Sequence, residues 1–212
     1  MIRIKLCGLT RPEDIIGANE LLPDYIGFVF WNKSSRYVDE DKARKLKDML
    51  DHRIRAVGVF VDEDIDVIMH LMREGIIDAV QLHGSEDEDY IRRLREGLED
   101  GGGPDRSDHS EGIRIIKAFK VRSEEDIRIA AKSGADMVLL DAGRGDGLAF
   151  DWELCAGMTR PYILAGGLDC DNILQAVKML SPYGVDVSSG IETAGKKDQE
   201  KMKDFVSIIR NR

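Results

Sequence analysis

The chain has 212 residues, 42% of them hydrophobic and 33% charged, with 31 Lys and Arg against 40 Asp and Glu for a formal charge of −9. That mixture is globular rather than disordered. The negative balance speaks against a nucleic-acid binder, which needs clustered Lys and Arg. No apolar run reaches the ~18 residues of a membrane span. The N-terminal MIRIKLCG alternates apolar residues with Arg3 and Lys5, and no secretory h-region follows it. Cys7, Cys155 and Cys170 form no CxxC pair, and the four histidines form no HxxxH cluster. The expectation is a cytoplasmic chain with no metal and no cofactor.

Strand-like runs rich in Val, Ile, Leu and Phe alternate with helical segments along the whole chain. The predicted strands are 2–7, 25–30, 55–61, 78–83, 113–119, 137–141, 162–165 and 184–188. The predicted helices are 13–22, 39–50, 65–73, 86–98, 123–133, a short 151–156, 171–180 and 197–209. Thr10-Arg11-Pro12 reads as the entry to the first helix. Ser85 with Glu88, and Ser123 with Asp126, read as capping boxes. Eight strand–helix alternations point to an α/β chain folded as a compact (βα)8 TIM barrel, in one domain covering 1–212. An open doubly wound sheet is the alternative, but Cys7-Gly8-Leu9-Thr10 after the first strand is not its GxGxxG turn. The stretch 99–112, with Gly101-Gly102-Gly103-Pro104, reads as a flexible insertion on the bottom face.

Strand alternation then locates a site. If Ile2, Ile4 and Leu6 face the helices, Arg3, Lys5 and Cys7 face the barrel interior. The same test sends Gln81 and His83 inward from the fourth strand, and Asp186 and Ser188 inward from the eighth. Asp141 ends the sixth. Cys7, His83, Asp141 and Asp186 thus gather at the C-terminal rim, where barrel enzymes keep their chemistry. Each has an ordinary alternative. Cys7 packs, His83 is a satisfied core histidine, Asp141 caps the next turn, or Asp186 pairs with Lys5. After the seventh and eighth strands come Ala165-Gly166-Gly167-Leu168 and Ser188-Ser189-Gly190-Ile191-Glu192. Glycine N–H groups with a short helix N-terminus there suit a phosphate.

These residues resemble the phosphoribosylanthranilate isomerase family of tryptophan biosynthesis. The resemblance rests on Lys5-Leu6-Cys7-Gly8-Leu9-Thr10, on Gly27-Phe28-Val29-Phe30 with Ser34-Ser35-Arg36-Tyr37-Val38, and on Val57 to Val61. It continues in Val80-Gln81-Leu82-His83-Gly84, in Leu140-Asp141 through Phe150-Asp151-Trp152, and in both glycine motifs. It implies an Amadori rearrangement of N-(5-phosphoribosyl)anthranilate with Asp141 as general acid and Cys7 as general base. Arg36 then takes the anthranilate carboxylate. Gly166, Gly167, Ser188, Ser189 and Gly190 take the phosphate, and Asp186 and His83 contact or orient the substrate. The roles demand a protonated Asp141 and a thiolate at Cys7, both against their defaults. Lys5 serves the thiolate or pairs with Asp186. Ser35 replaces the family's usual proline, and Arg144-Gly145-Asp146-Gly147 replaces a glycine-rich G-G-T-G. The implied partner is a small phosphosugar–anthranilate substrate, with no nucleic acid and no membrane, and the assembly is a monomer or homodimer.

Rival readings are a related indole-glycerol-phosphate synthase, a metal-dependent pentose-phosphate epimerase, a bifunctional isomerase with repeated half-barrels, and a non-catalytic phosphate-binding barrel. The Cys7/Asp141 pair fits neither the synthase nor the epimerase, the sequence shows no paired aspartates or half-barrel repeat, and a non-catalytic barrel predicts loss of an acid or base whose positions are filled here. Met69, Met72 and Met179 read as core packing rather than interface.

Overall fold

The computed structural model describes residues 1–100, 112–141 and 152–211. Eight parallel strands close a barrel in simple sequence order. They are β1 (Arg3–Cys7), β2 (Tyr25–Val29), β3 (Arg55–Phe60), β4 (Ala79–Leu82), β5 (Ile115–Lys120), β6 (Met137–Asp141), β7 (Tyr162–Ala165) and β8 (Gly184–Val187). Closure comes from β1 pairing with β8, with Lys5 beside Asp186. The open doubly wound alternative is thereby excluded. The helices α1 (Pro12–Leu21), α2 (Glu40–Asp48), α3 (Ile65–Arg73), α4 (Glu88–Asp100), α5 (Glu124–Lys132), α6 (Ile173–Leu180) and α7 (Gln199–Arg210) follow the strands. Where a helix was expected at 151–156, the described part is a 3-10 turn, Leu154–Gly157. Between β8 and α7 lies a hairpin of β9 (Glu192–Thr193) and β10 (Lys196–Lys197).

Strand alternation sorts the apolar side chains into two cores. Ile4, Leu6, Ile26, Val80, Leu82, Val185 and Val187 belong to the layer between strands and helices. Tyr25, Val57, Ala79, Ile116, Ala118, Met137, Leu139 and Ile163 fill the barrel interior. Leu6, Ile26 and Val185 are fully buried, so a one-residue register slip would turn these side chains into a barrel already filled.

Aspartates at the bottom of the barrel pin alternate strand starts. Asp24 accepts from the Ile4 amide at 2.9 Å, Asp78 from Ala56 at 2.6 Å, and Asp136 from Arg114 and Ile115 at 2.9 Å each. These contacts read as stability, since barrel chemistry sits at the opposite end.

Several local expectations change. Ser123 and Asp126 do form a capping box. Ser123→Ala is expected to lower unfolding free energy by about 1 kcal/mol, read as a urea midpoint shift. Ser85 does not cap α4. Its amide and hydroxyl both go to Asp62, and Asp87 instead accepts from the Tyr90 amide at 2.9 Å. Asp14 on α1 accepts from the Thr10 and Arg11 amides, so the acid three residues in organises that helix entry. Met69 and Met72 are buried as expected, whereas Met179 is 47% exposed. The expected insertion at 99–112 falls mostly on residues outside the described ones, and so does the Arg144–Asp146 departure.

Candidate active site

The C-terminal rim assembles from strand ends, as alternation requires. Lys5 on β1 is 1% exposed, and its Nζ lies 3.0 Å from Asp186 Oδ1 on β8. Two positions on, Cys7 is also buried and sits beside Gly27 of β2. A Cβ at Gly27 would come within 2.6 Å of Cys7 Sγ and 3.2 Å of Lys5 Nζ. The absent side chain is what leaves room for the sulfur and the ammonium.

Burial and the charge of Asp186 push the Cys7 thiol up from its ordinary value, while Lys5, hydrogen-bonded to the sulfur, pulls it down. The net direction is upward. Lys5 is held protonated: burial opposes its charge, but Asp186 and Cys7 outweigh burial. The two alternatives for Lys5 are therefore not exclusive, because one ammonium contacts both partners.

Across the rim, His83 Nε2 lies 3.4 Å from Asp141 Oδ2. Gln81 Nε2 lies 3.0 Å from His83 Nδ1. With the amide donating, Nδ1 is the acceptor and Nε2 carries the proton toward Asp141. The loop carrying His83 is braced from behind. Glu86 accepts from the Asp62 and Gly84 amides at 2.8 and 2.9 Å, and Lys117 of β5 pairs with Glu86 at 2.8 Å.

The glycine turns after β7 and β8 meet. Asp169 and Gly190 form a parallel bridge, and a Cβ on Gly190 would lie 1.9 Å from the Leu168 carbonyl. Gly166 and Gly167 adopt φ of 89° and 65°, a region that favours glycine. No described residue lies within 4 Å of a Cβ position on Gly167, so among the described residues nothing covers its backbone there. The short helix expected after β8 is absent among the described residues. Turns at Ser188 and Ser189 lead into the β9–β10 hairpin instead.

Arg36 reaches the rim from the segment after β2. It forms a two-pronged pair with Glu192, Nε and Nη2 each at 2.7 Å. Lys197 Nζ lies 2.6 Å from the same carboxylate and also donates to Ser188 O. Burial raises the Glu192 pKa, but hydrogen bonds from Arg36 and Lys197 overcome it and bring it down to about 2. A depressed carboxylate stabilises the fold above its ordinary value near 4.5, and that contribution is lost as pH falls toward about 2. Sequence reasoning gave neither Glu192 nor Lys197 a role, and it placed Lys197 in a helix.

The sequence pattern of N-(5'phosphoribosyl)anthranilate (PRA) isomerase matches residues 4–100 and 105–208. The chain belongs to the N-(5'-phosphoribosyl)anthranilate isomerase family. It is 42% identical over 216 residues to the N-(5'-phosphoribosyl)anthranilate isomerase of Endomicrobium trichonymphae, with 100% of both chains covered. The fold matches the phosphoribosyl anthranilate isomerase of Thermotoga maritima with a TM-score of 0.85 at 33% identity, covering 100% of each chain. A further structure of such an isomerase, in complex with reduced 1-(o-carboxyphenylamino)-1-deoxyribulose 5-phosphate, matches with a TM-score of 0.82 at 33% identity and the same coverage. The chain is thus an isomerase of this family. No helix among the described residues is long and apolar enough to cross a membrane.

Proposed function

We propose that this isomerase, acting as one barrel domain, converts N-(5-phosphoribosyl)anthranilate to 1-(2-carboxyphenylamino)-1-deoxyribulose 5-phosphate with Asp141 as acid and Cys7 as base. The observation that carries the assignment is that β1 and β6 aim Cys7 and Asp141 into one rim, each beside a distinct polar partner. Asp141 gives a proton to the furanose ring oxygen. The C1′–O bond breaks, and the anilino nitrogen lone pair forms the iminium. Cys7 then removes the C2′ proton, and the electron pair moves to give the enolamine. Tautomerisation yields the ketone. The redox change is internal to the sugar, so atoms and electrons balance within one molecule.

Asp186 accepts a ribose hydroxyl hydrogen bond. Part of its charge then goes to the substrate, which weakens its hold on the thiol and leaves Lys5 as counter-ion of the thiolate. Gln81 and His83 keep Asp141 oriented. Gly166, Gly167, Ser188, Ser189 and Gly190 offer backbone and hydroxyl donors to the phosphate, which lets a chain of charge −9 hold an anion locally. The enzyme works in the cytoplasm as a monomer or homodimer, without nucleic acid or membrane.

Purified protein is expected to consume freshly prepared N-(5-phosphoribosyl)anthranilate, followed as loss of anthranilate fluorescence, with no metal or cofactor added. Absence of that conversion by folded protein overturns the reading. Arg36 binds the ring carboxylate. Arg36→Lys is expected to lower kcat/KM about tenfold, since one charge-assisted hydrogen bond of about 1.5 kcal/mol is lost from a two-pronged contact.

A further inference from the structure

Glu192 is an unusual neighbour for a residue that must bind a carboxylate. Its side chain is 9% exposed, and it already occupies the cation that the substrate needs. The pair is only partly buried, with Arg36 29% exposed, and beyond any contribution to stability it fixes the geometry of the guanidinium.

A guanidinium has two forks. Glu192 takes the side-on fork, Nε with Nη2. That leaves the end-on fork, Nη1 with the second Nη2 hydrogen, without a hydrogen bond among the described residues. The planar group cannot turn without breaking both bonds to Glu192. Its stem is fixed as well. Gly8, at φ 75°, lies so close that a Cβ there would stand 2.5 Å from Arg36 Cδ.

Glu192 is itself held. Its register partner on the hairpin is Lys197, whose side chain is 2% exposed and whose Nζ binds Glu192 Oε1 at 2.6 Å, Ser188 O at 2.9 Å and Ser188 Oγ at 3.2 Å. Ser188 Oγ donates to the Cys7 carbonyl at 3.1 Å. The hairpin backbone is pinned by Arg11 Nη2 on the Lys197 carbonyl at 2.7 Å and by Lys201 Nζ on the Glu192 carbonyl at 2.8 Å.

We infer that Glu192 is a positioning residue that presents the end-on fork of Arg36 to the substrate carboxylate, and that Lys197 couples this orientation to the phosphate-binding turn at Ser188. The inference rests on the role proposed above for Arg36. One hydrogen-bonded unit then sets the distance between the two anionic ends of the substrate and ties both to the strand that carries Cys7. Binding energy from the remote ends is thereby used to align the reacting carbon.

The test uses two probes, reduced 1-(o-carboxyphenylamino)-1-deoxyribulose 5-phosphate and its aniline counterpart, which lacks the ring carboxyl. The ratio of their dissociation constants reads carboxylate recognition alone, because general loosening of the site weakens both ligands together. The wild-type ratio is expected to favour the carboxylated probe at least about tenfold. Arg36→Met brings it to about one, and Glu192→Ala brings it within a few-fold of Arg36→Met. Glu192→Gln, nearly isosteric, gives an intermediate ratio and serves if the alanine variant does not fold. Lys197→Met weakens the aniline probe through Ser188 and also lowers the ratio several-fold, because Glu192 loses its anchor. If Arg36→Met abolishes the ratio while folded Glu192 variants keep it, the positioning role is overturned. If Arg36→Met itself leaves the ratio unchanged, the carboxylate role of Arg36 falls and the inference with it. An unchanged ratio in folded Lys197→Met overturns the coupling between Arg36 and Ser188.

Discussion

Cys7→Ser is expected to lower kcat at least about 10²-fold, the usual scale for an acid–base group, while product-analogue affinity stays within a few-fold of wild type. The substitution keeps a small polar atom in the space beside Gly27, so packing changes little. What it removes is a group able to ionise. A serine hydroxyl has no accessible anion at neutral pH, and Lys5 cannot lower its pKa far enough to supply one. Wild-type enzyme should show the matching pH dependence. Burial and Asp186 hold the thiol above its ordinary value, so the wild-type kcat/KM profile should carry a limb on the alkaline side, where the thiol ionises. Cys7→Ser should lose that limb. Near-normal turnover in the variant would remove Cys7 as the base.

Asp141→Asn is the second large effect, again at least about 10²-fold in kcat. Asparagine keeps the shape and a hydrogen bond to His83, so the substrate still binds, but no carboxyl proton remains for the ring oxygen. The loss should therefore appear in kcat with KM little moved. Gln81→Leu is a milder perturbation of the same line of groups. It removes the contact to His83 Nδ1 and frees the tautomer, without removing the proton donor. An Asp141→Asn enzyme that retains a tenth or more of wild-type kcat would exclude Asp141 as the acid.

Much of this site is legible before folding because β alternation is local. Once Ile4 and Leu6 are assigned to the helix layer, Lys5 and Cys7 must face inward, and the same step places Gln81 with His83 and Asp186 with Ser188. Asp141 follows from its place at the end of a buried run. Helix ends were less legible. Ser85 with Glu88 satisfies the capping pattern, yet the carboxylate of Asp62 competes for the Ser85 donors, and Asp62 is 23 residues away. The hairpin was missed for a similar reason. Lys196-Lys197-Asp198-Gln199 reads as a helix start, but Asp198 is the N-cap, accepting from the Glu200 and Lys201 amides. That leaves Lys197 outside the helix and turned into the site.

By itself the sequence determined the order of the eight barrel strands, the facing of the first, fourth and eighth of them, and hence which of their side chains turn toward the C-terminal rim. These depend on period and on neighbours a few residues apart, which the chain carries wherever it goes. Tertiary structure alone decided which rim residues touch. Lys5 meets Asp186 because β1 closes the barrel against β8 across 181 positions, and Arg36 meets Glu192 across 156. Pairings of that span are set by barrel closure and loop path. Electrostatic attraction selects among groups that the fold has already brought within reach, and the sequence contains many Arg and Glu that it does not bring together.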